Sequence, residues 1–242
     1  MAKDLENTMV GNDVYILTNI NAETTNGLII QLTQWVNNIS FVKKGDLFYK
    51  EQNIKTGEDS NIRIINAKEA TNKIYGPNEE IPKHIPTLNV WINSCGGNQS
   101  ILLSILNVFN IASAKGTIIR TYNIGHADSS ASMIAVSGTK GYRFMGEDAY
   151  NMIHYGLSNG SINHPNEVES VMQDFKRAIN VTSEIYANRT NLTKTEILNY
   201  QNIEGSGRLN SAQCLEKGLC DWVITNDGRF VNNVNELKQK QR

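Results

Sequence analysis

Thr117-Ile118-Ile119-Arg120-Thr121-Tyr122, followed by Gly125-His126-Ala127-Asp128-Ser129-Ser130-Ala131-Ser132-Met133-Ile134-Ala135, is the stretch from which the fold can be read. Its first part is apolar and β-branched and predicts a strand. The small residues after Ser129 predict a helix to about residue 137, and a cluster of serines sits at the turn between them. A serine at a strand-to-helix turn is placed to act as a nucleophile, because free N–H groups at the helix start can face a developing oxyanion. It is equally placed to cap the helix, since Ser is a favoured N-cap. On this stretch alone capping is the simpler reading.

Working outward, Thr87-Leu88-Asn89-Val90-Trp91-Ile92-Asn93 predicts a strand that Gly96-Gly97 breaks. Ile101, Leu102, Leu103, Ile105, Leu106, Phe109 and Ile111 then predict an apolar helix. On the far side of the central stretch, residues 142–145 and 150–154 predict two short strands. This alternation of strand and helix predicts parallel β-α-β units and an α/β fold. Nearer the start, Val14-Tyr15-Ile16-Leu17 predicts a strand, and Thr24-Thr25-Asn26 supplies capping residues for a helix. The apolar positions 28, 29, 32, 35 and 36 of that helix share one face. Residues 165–188 predict a long amphipathic helix of about six turns. Shorter helices are expected over 193–200 and 211–217, with Gly218 as a C-terminal stop. Trp222-Val223-Ile224 predicts a last strand. Residues 1–12 and the Lys/Gln-rich end are expected to be loose. The polar segment 40–83 reads as an insertion in one domain spanning 1–242, with its own hairpin between 44–49 and 61–66.

The chain has 242 residues, 40% apolar and 19% charged, with a net charge of −1. That balance argues against nucleic acid or an acidic membrane surface as the main partner. Three cysteines, Cys95, Cys214 and Cys220, are an odd number without metal-ligand spacing, which fits a reducing compartment. There is no apolar signal core and no run near the roughly 18 apolar residues of a membrane span. A cytoplasmic location is therefore expected. No histidine pair has i, i+4 spacing and no C-x-x-C occurs, so no metal is expected. The glycines match neither the Walker nor the dinucleotide pattern, so no cofactor is expected either.

Of the four histidines, His84 and His164 sit beside prolines and read as structural. His126 lies three residues before Ser129 and could line a pocket. His154 ends a predicted strand, where functional groups of α/β sheets gather, although a lone histidine there is more often structural.

Taken in order, Ile92-Asn93-Ser94-Cys95-Gly96-Gly97, then Gly125-His126-Ala127-Asp128-Ser129-Ser130-Ala131-Ser132, then Met152-Ile153-His154 resemble the three core motifs of the ClpP-type serine peptidases. The pattern Gly-x-Ala-x-Ser-x-Ala-Ser is especially similar to the bacteriophage-encoded branch. Gly141-Tyr142-Arg143-Phe144, Tyr186-Ala187-Asn188-Arg189-Thr190 and the segments Ser211-Ala212 and Gly218-Leu219-Cys220-Asp221 are similar as well. The resemblance covers 88–154 most strongly, 14–39 and 165–225 more loosely, and 40–83 not at all. It implies a ClpP/crotonase-like α/β fold and a serine endopeptidase acting on polypeptides without a cofactor. Ser129 is then the nucleophile and His154 the general base, 25 residues later as in the family. The backbone N–H of Ser130 and one from Gly96-Gly97 become the oxyanion donors, with the glycine segment pairing the substrate peptide like an edge strand. Ser132 is a packing residue.

Two departures follow. Cys95 stands where the family usually has proline. The family's third triad member, an aspartate, falls among Tyr200, Gln201, Asn202 and Ile203, none of them acidic. Asn202 is the first choice, since an amide oxygen can hold the imidazole tautomer, and Glu204 is the alternative. In trypsin-type enzymes an Asn for that Asp costs about 10⁴ in turnover, so a slow enzyme is expected. The resemblance further implies homo-oligomeric rings stacked through helix 165–188. A Clp-type ATPase is a doubtful partner, because only about thirteen residues precede the first strand. The setting is either phage head maturation or Clp-like proteolysis. A catalytically weakened scaffold is the alternative reading. A crotonase-type acyl-CoA enzyme would need carboxylates beside the oxyanion donors, which the matching positions do not supply.

Overall fold

The computed structural model describes residues 6–39, 46–52, 59–66, 75–81, 85–154, 167–202 and 207–240. The heart of the molecule is a parallel ladder of β2 (Asp13–Ile16), β5 (Thr87–Ser94), β6 (Ile118–Asp128), β7 (Arg143–Gly146) and β10 (Trp222–Ile224). β1 (Thr8–Val10) and β11 (Phe230–Val231) extend it antiparallel at its two edges. β3 (Asp46–Gln52) and β4 (Asp59–Asn66) form a separate antiparallel pair, close to the hairpin expected inside 40–83. The mostly parallel α/β architecture is the expected one, and its crossover helices follow the strands as β-α-β units.

Alternation along β5 buries Leu88, Val90, Ile92 and Ser94 on one face. Against that face pack Leu28, Leu32 and Val36 of α1 (Ala22–Asn38), and Leu102, Ile105 and Phe109 of α2 (Gln99–Ala114). The other face carries Trp91, Tyr122 and Phe144, stacked in register across β5, β6 and β7 with ring centroids 4.3 and 4.8 Å apart. Among the described residues no helix is long and apolar enough to cross a membrane. The three cysteines are free thiols.

β6 positions the site. It pairs β5 regularly as far as Ile92↔Asn123 and then shifts to Ser94↔Ala127, so β6 carries two extra residues there. Such a bulge bends a strand and re-aims its end. Gly125 lies within it, where a Cβ would come within 2.6 Å of Asn93 Oδ1. Before the bulge β6 pairs β7, and after it β6 pairs β8 (Tyr150–Ile153). β8 in turn pairs antiparallel with β9 (Gly207–Asn210).

Several sequence expectations need correction. The strand does not end at Tyr122 but runs to Asp128, because the bulge lets it exchange one neighbour for another. Residues 6–12 are not loose: β1 turns through Gly11-Asn12 onto β2, with Gly11 at φ 61°. Asn7, 2% exposed, accepts from the N–H groups of Leu17 and Thr18 and donates to Thr25 Oγ1. The first helix is capped by Asn21 in a capping box with Thr24, one turn earlier than expected. After α6 (Ser211–Glu216), the C-terminal end forms α7 (Val234–Lys240), held by buried Leu237.

Candidate active site

Ser129 stands between β6 and α3 (Ser130–Val136) with φ 55° and ψ −121°. It is the only non-glycine residue with positive φ among the described residues. Holding a β-substituted residue there costs on the order of 1–3 kcal/mol and occurs mainly at functional sites. Its side chain makes no cap hydrogen bond. The strain therefore serves no capping role. The backbone is fixed by Ser129 N–H donating to Met152 O at 2.9 Å.

The glycine turn packs against this serine. Gly96 (φ +83°) has no room for a Cβ, which would fall 2.3 Å from Asp128 O and 2.8 Å from Ser130 N. Gly97 (φ +150°) is equally closed, by Ile20 O at 2.1 Å. Ser130 is 2% exposed and its hydroxyl donates to Gly97 O at 2.8 Å, tying the turn to the start of α3. Gly96 O accepts from Ile20 N at 2.8 Å, and Gly96 N–H donates to Ser94 Oγ at 3.1 Å. Both glycine carbonyls thus accept a hydrogen bond from within the chain. Gly97 N–H makes no hydrogen bond among the described residues, and Ser130 N–H heads its helix without an intrahelical acceptor.

His154 follows β8 directly. β8 runs parallel to the end of β6 with Asp128↔Met152 in register, so Ser129 and His154 leave neighbouring strands at the same carboxyl edge. No hydrogen bond joins Ser129 Oγ to the imidazole among the described residues, a looseness common before substrate binds. The ring is half-buried, and burial pushes its pKa below the ordinary value while the Asp128 carboxylate pulls it back up.

Asp128 is a buried neighbour of Ser129 to which the sequence reading assigns no role. It is 5% exposed, and its Oδ1 has no hydrogen-bond partner. Burial raises its pKa, opposed by His126, Arg208 and His154 in that order. Its signal is not legible in the sequence, because it comes from burial and from neighbours on other strands. Ser132, expected as a packing residue, is fully buried and accepts a 2.6 Å hydrogen bond from Tyr186 on α4 (Glu167–Arg189).

The third member expected at Asn202 is the final residue of α5 (Lys194–Asn202), while Glu204 lies outside the described residues, as do His84 and His164. The chain re-enters at Gly207, which pairs with Ile153, the residue before His154. A cavity of about 470 Å³ over Tyr122, Gly125, Phe144, Glu147, Ile224 and Asn226 includes none of the site residues.

A family model described as "Clp protease" matches residues 46–227. A curated relative, the chloroplastic ATP-dependent Clp protease proteolytic subunit 4 of Arabidopsis thaliana, is 30% identical over 140 residues, covering 58% of this chain and 46% of that protein. An ATP-dependent Clp protease proteolytic subunit of Ligilactobacillus salivarius is 28% identical over 137 residues, 57% of this chain and 66% of the relative. One from Streptococcus pneumoniae is 23% identical over 178 residues, 73% of this chain and 81% of the relative. The chain thus spans about half the length of the first of these relatives and about two thirds of the second. With the family model covering more than half of the sequence, and with the strained serine, glycine turn and strand-end histidine in the family's order, the chain belongs to the Clp protease family.

Proposed function

We propose that this chain is a serine endopeptidase with Ser129 as nucleophile and His154 as general base. The observation that carries the reading is the backbone of Ser129, held at positive φ with its side chain uncommitted to capping. In this reading Ser129 Oγ attacks the substrate carbonyl carbon while His154 takes the hydroxyl proton. The oxyanion of the tetrahedral intermediate is met by the N–H groups of Ser130 and Gly97, with Gly96 giving the turn its close approach. Its collapse breaks the C–N bond, and the imidazolium gives its proton to the leaving amine. Water then hydrolyses the acyl-serine by the same proton path in reverse. Asn202 supplies the oxygen that orients the imidazole, with Glu204 as the alternative. The Gly-x-Ala-x-Ser-x-Ala-Ser pattern supports placing the chain in the phage-encoded branch, acting in head maturation or Clp-like proteolysis as an oligomeric ring.

The test is fluorophosphonate labelling of the folded native chain beside Ser129→Ala and His154→Ala. Labelling of the native chain, its absence in Ser129→Ala and its strong reduction in His154→Ala are expected. An unlabelled but folded and assembled native protein would instead support a scaffold that keeps the fold without the chemistry. Asn202→Ala and Glu204→Ala, assayed on a small peptide, identify the third member.

A further inference from the structure

We propose that Cys95, His126 and Asp128 form a zinc-binding site beside Ser129, through which the ion closes the candidate peptidase centre. Cys95 lies 31 residues before His126 in the sequence, and the β6 bulge brings it to the His126 and Asp128 pair. Their candidate ligand atoms all lie within 4.8 Å of one another, with Cys95 Sγ 3.4 Å from His126 Nε2. Ser94↔Ala127 pairing places Cys95 next to the end of β6. His126 is fixed there by its N–H donating to Asn93 Oδ1 at 3.2 Å and by its ring stacking on Tyr150 at 5.6 Å.

Asp128 supplies the independent observation. Its buried Oδ1 has no hydrogen-bond partner, although a buried carboxylate oxygen normally has one. A cation between Asp128, His126 and Cys95 would satisfy it.

The donor set selects the ion. One thiolate, one imidazole and one carboxylate suit a borderline divalent cation such as Zn²⁺ rather than Mg²⁺ or Ca²⁺, which take oxygen ligands. Bonds of about 2.0–2.3 Å in a tetrahedral site put ligand atoms roughly 3.3–3.8 Å apart. Cys95 and His126 already meet that spacing, and small side-chain rotations bring in Asp128. Thiolate and carboxylate balance the charge of the ion. As the Zn–S bond forms, the Cys95 proton leaves to the solvent. The exposed side of Cys95 leaves the fourth position open to water.

The position of the site gives it a consequence, which rests on the peptidase reading. Cys95 precedes Gly96 and Asp128 precedes Ser129, so one ion would clamp the glycine turn to the nucleophile. It would also withdraw the Asp128 carboxylate from His154. Zinc binding is therefore expected to inhibit.

The site is tested by titrating the metal-free full chain with Zn²⁺ by calorimetry, and with Co²⁺ by its sulfur-to-metal charge-transfer absorption. The native chain is expected to take one ion, with affinity at least tenfold lower in Cys95→Ala and in His126→Ala. Both positions are surface-accessible, and circular dichroism checks the fold of each variant. Ser129→Ala should bind like the native chain. Absence of binding in the native chain, or native-like affinity in either variant, overturns the site. For the inhibition, Zn²⁺ should lower peptide turnover of the native chain and spare Cys95→Ala, and equal inhibition of both overturns the regulatory role. A chain without turnover at all would sink the peptidase reading, while the titrations still decide the site.

Discussion

At the scale of residues, His154 and Asp128 are read together. Burial holds His154 below the ordinary imidazole value, and among the described residues Asp128 is the charge that opposes that shift. A general base works when neutral, so the acid limb of kcat/KM is expected below the usual pH of about 6.5. Asp128→Asn removes the anion that favours the protonated ring. The limb then moves to still lower pH, measured on the chelator-treated protein so that bound metal does not enter. A limb that stays in place or rises would show that Asp128 does not act on His154. The same shift bears on stability. A histidine that binds its proton more weakly when folded than when unfolded contributes fully above about pH 6.5, and that contribution is lost as pH falls through that value toward the folded pKa.

At the scale of elements, the junction of β7, α4 and the loop before β10 is closed by one buried charge pair. Arg143, 3% exposed, donates through Nη2 and Nε to Asp221 at 2.6 and 2.8 Å. Its Nη1 donates to Arg189 O at 2.6 Å, at the end of α4. Asp221 also accepts from the N–H groups of Gly141 and Arg143. Removing one partner of such a pair leaves an uncompensated buried charge, at a cost of about 3–5 kcal/mol. Asp221→Ala is expected to lower Tm by on the order of 10 °C for a chain this size, read by circular dichroism. A change within 2 °C would mean that the pair contributes little. Elements with regular apolar periodicity were legible in the sequence: β5, α2, α3, α4 and the last parallel strand fall where the pattern puts them. The remainder depends on pairing that periodicity does not encode. β9 is four residues long and exists because β8 offers it an edge, and the outer half of β6 is a strand only because a bulge hands it from β7 to β8. The glycine turn, Ser129 and His154 could be read from motif order. Asp128 could not, because its importance comes from burial and from neighbours on another strand.

At the scale of the whole molecule, α4 divides into two unlike halves. Its C-terminal half is anchored by buried Thr182, Ser183 and Tyr186, with Gln99 Nε2 donating to Ala178 O and Thr182 Oγ1 at 3.2 Å. In its N-terminal half none of the described side chains is buried, and Val168 and Met172 are 44% and 49% exposed. These two are four residues apart and so share one face. An apolar helix face left in solvent calls for a partner. The Clp protease family forms oligomeric rings in general, and we propose that this half-helix lies between copies of the chain. Each apolar side chain buried at such a contact contributes roughly 1.5–3 kcal/mol, and each 1.4 kcal/mol is about tenfold in affinity. Met172→Lys is therefore expected to raise the protein concentration needed for the largest assembly by at least tenfold in analytical ultracentrifugation, with the circular dichroism spectrum of the folded subunit unchanged. The double variant Val168→Lys, Met172→Lys should abolish that assembly. Unchanged sedimentation of a correctly folded double variant would place the contact between copies elsewhere, and α4 would then be a helix of its own domain alone.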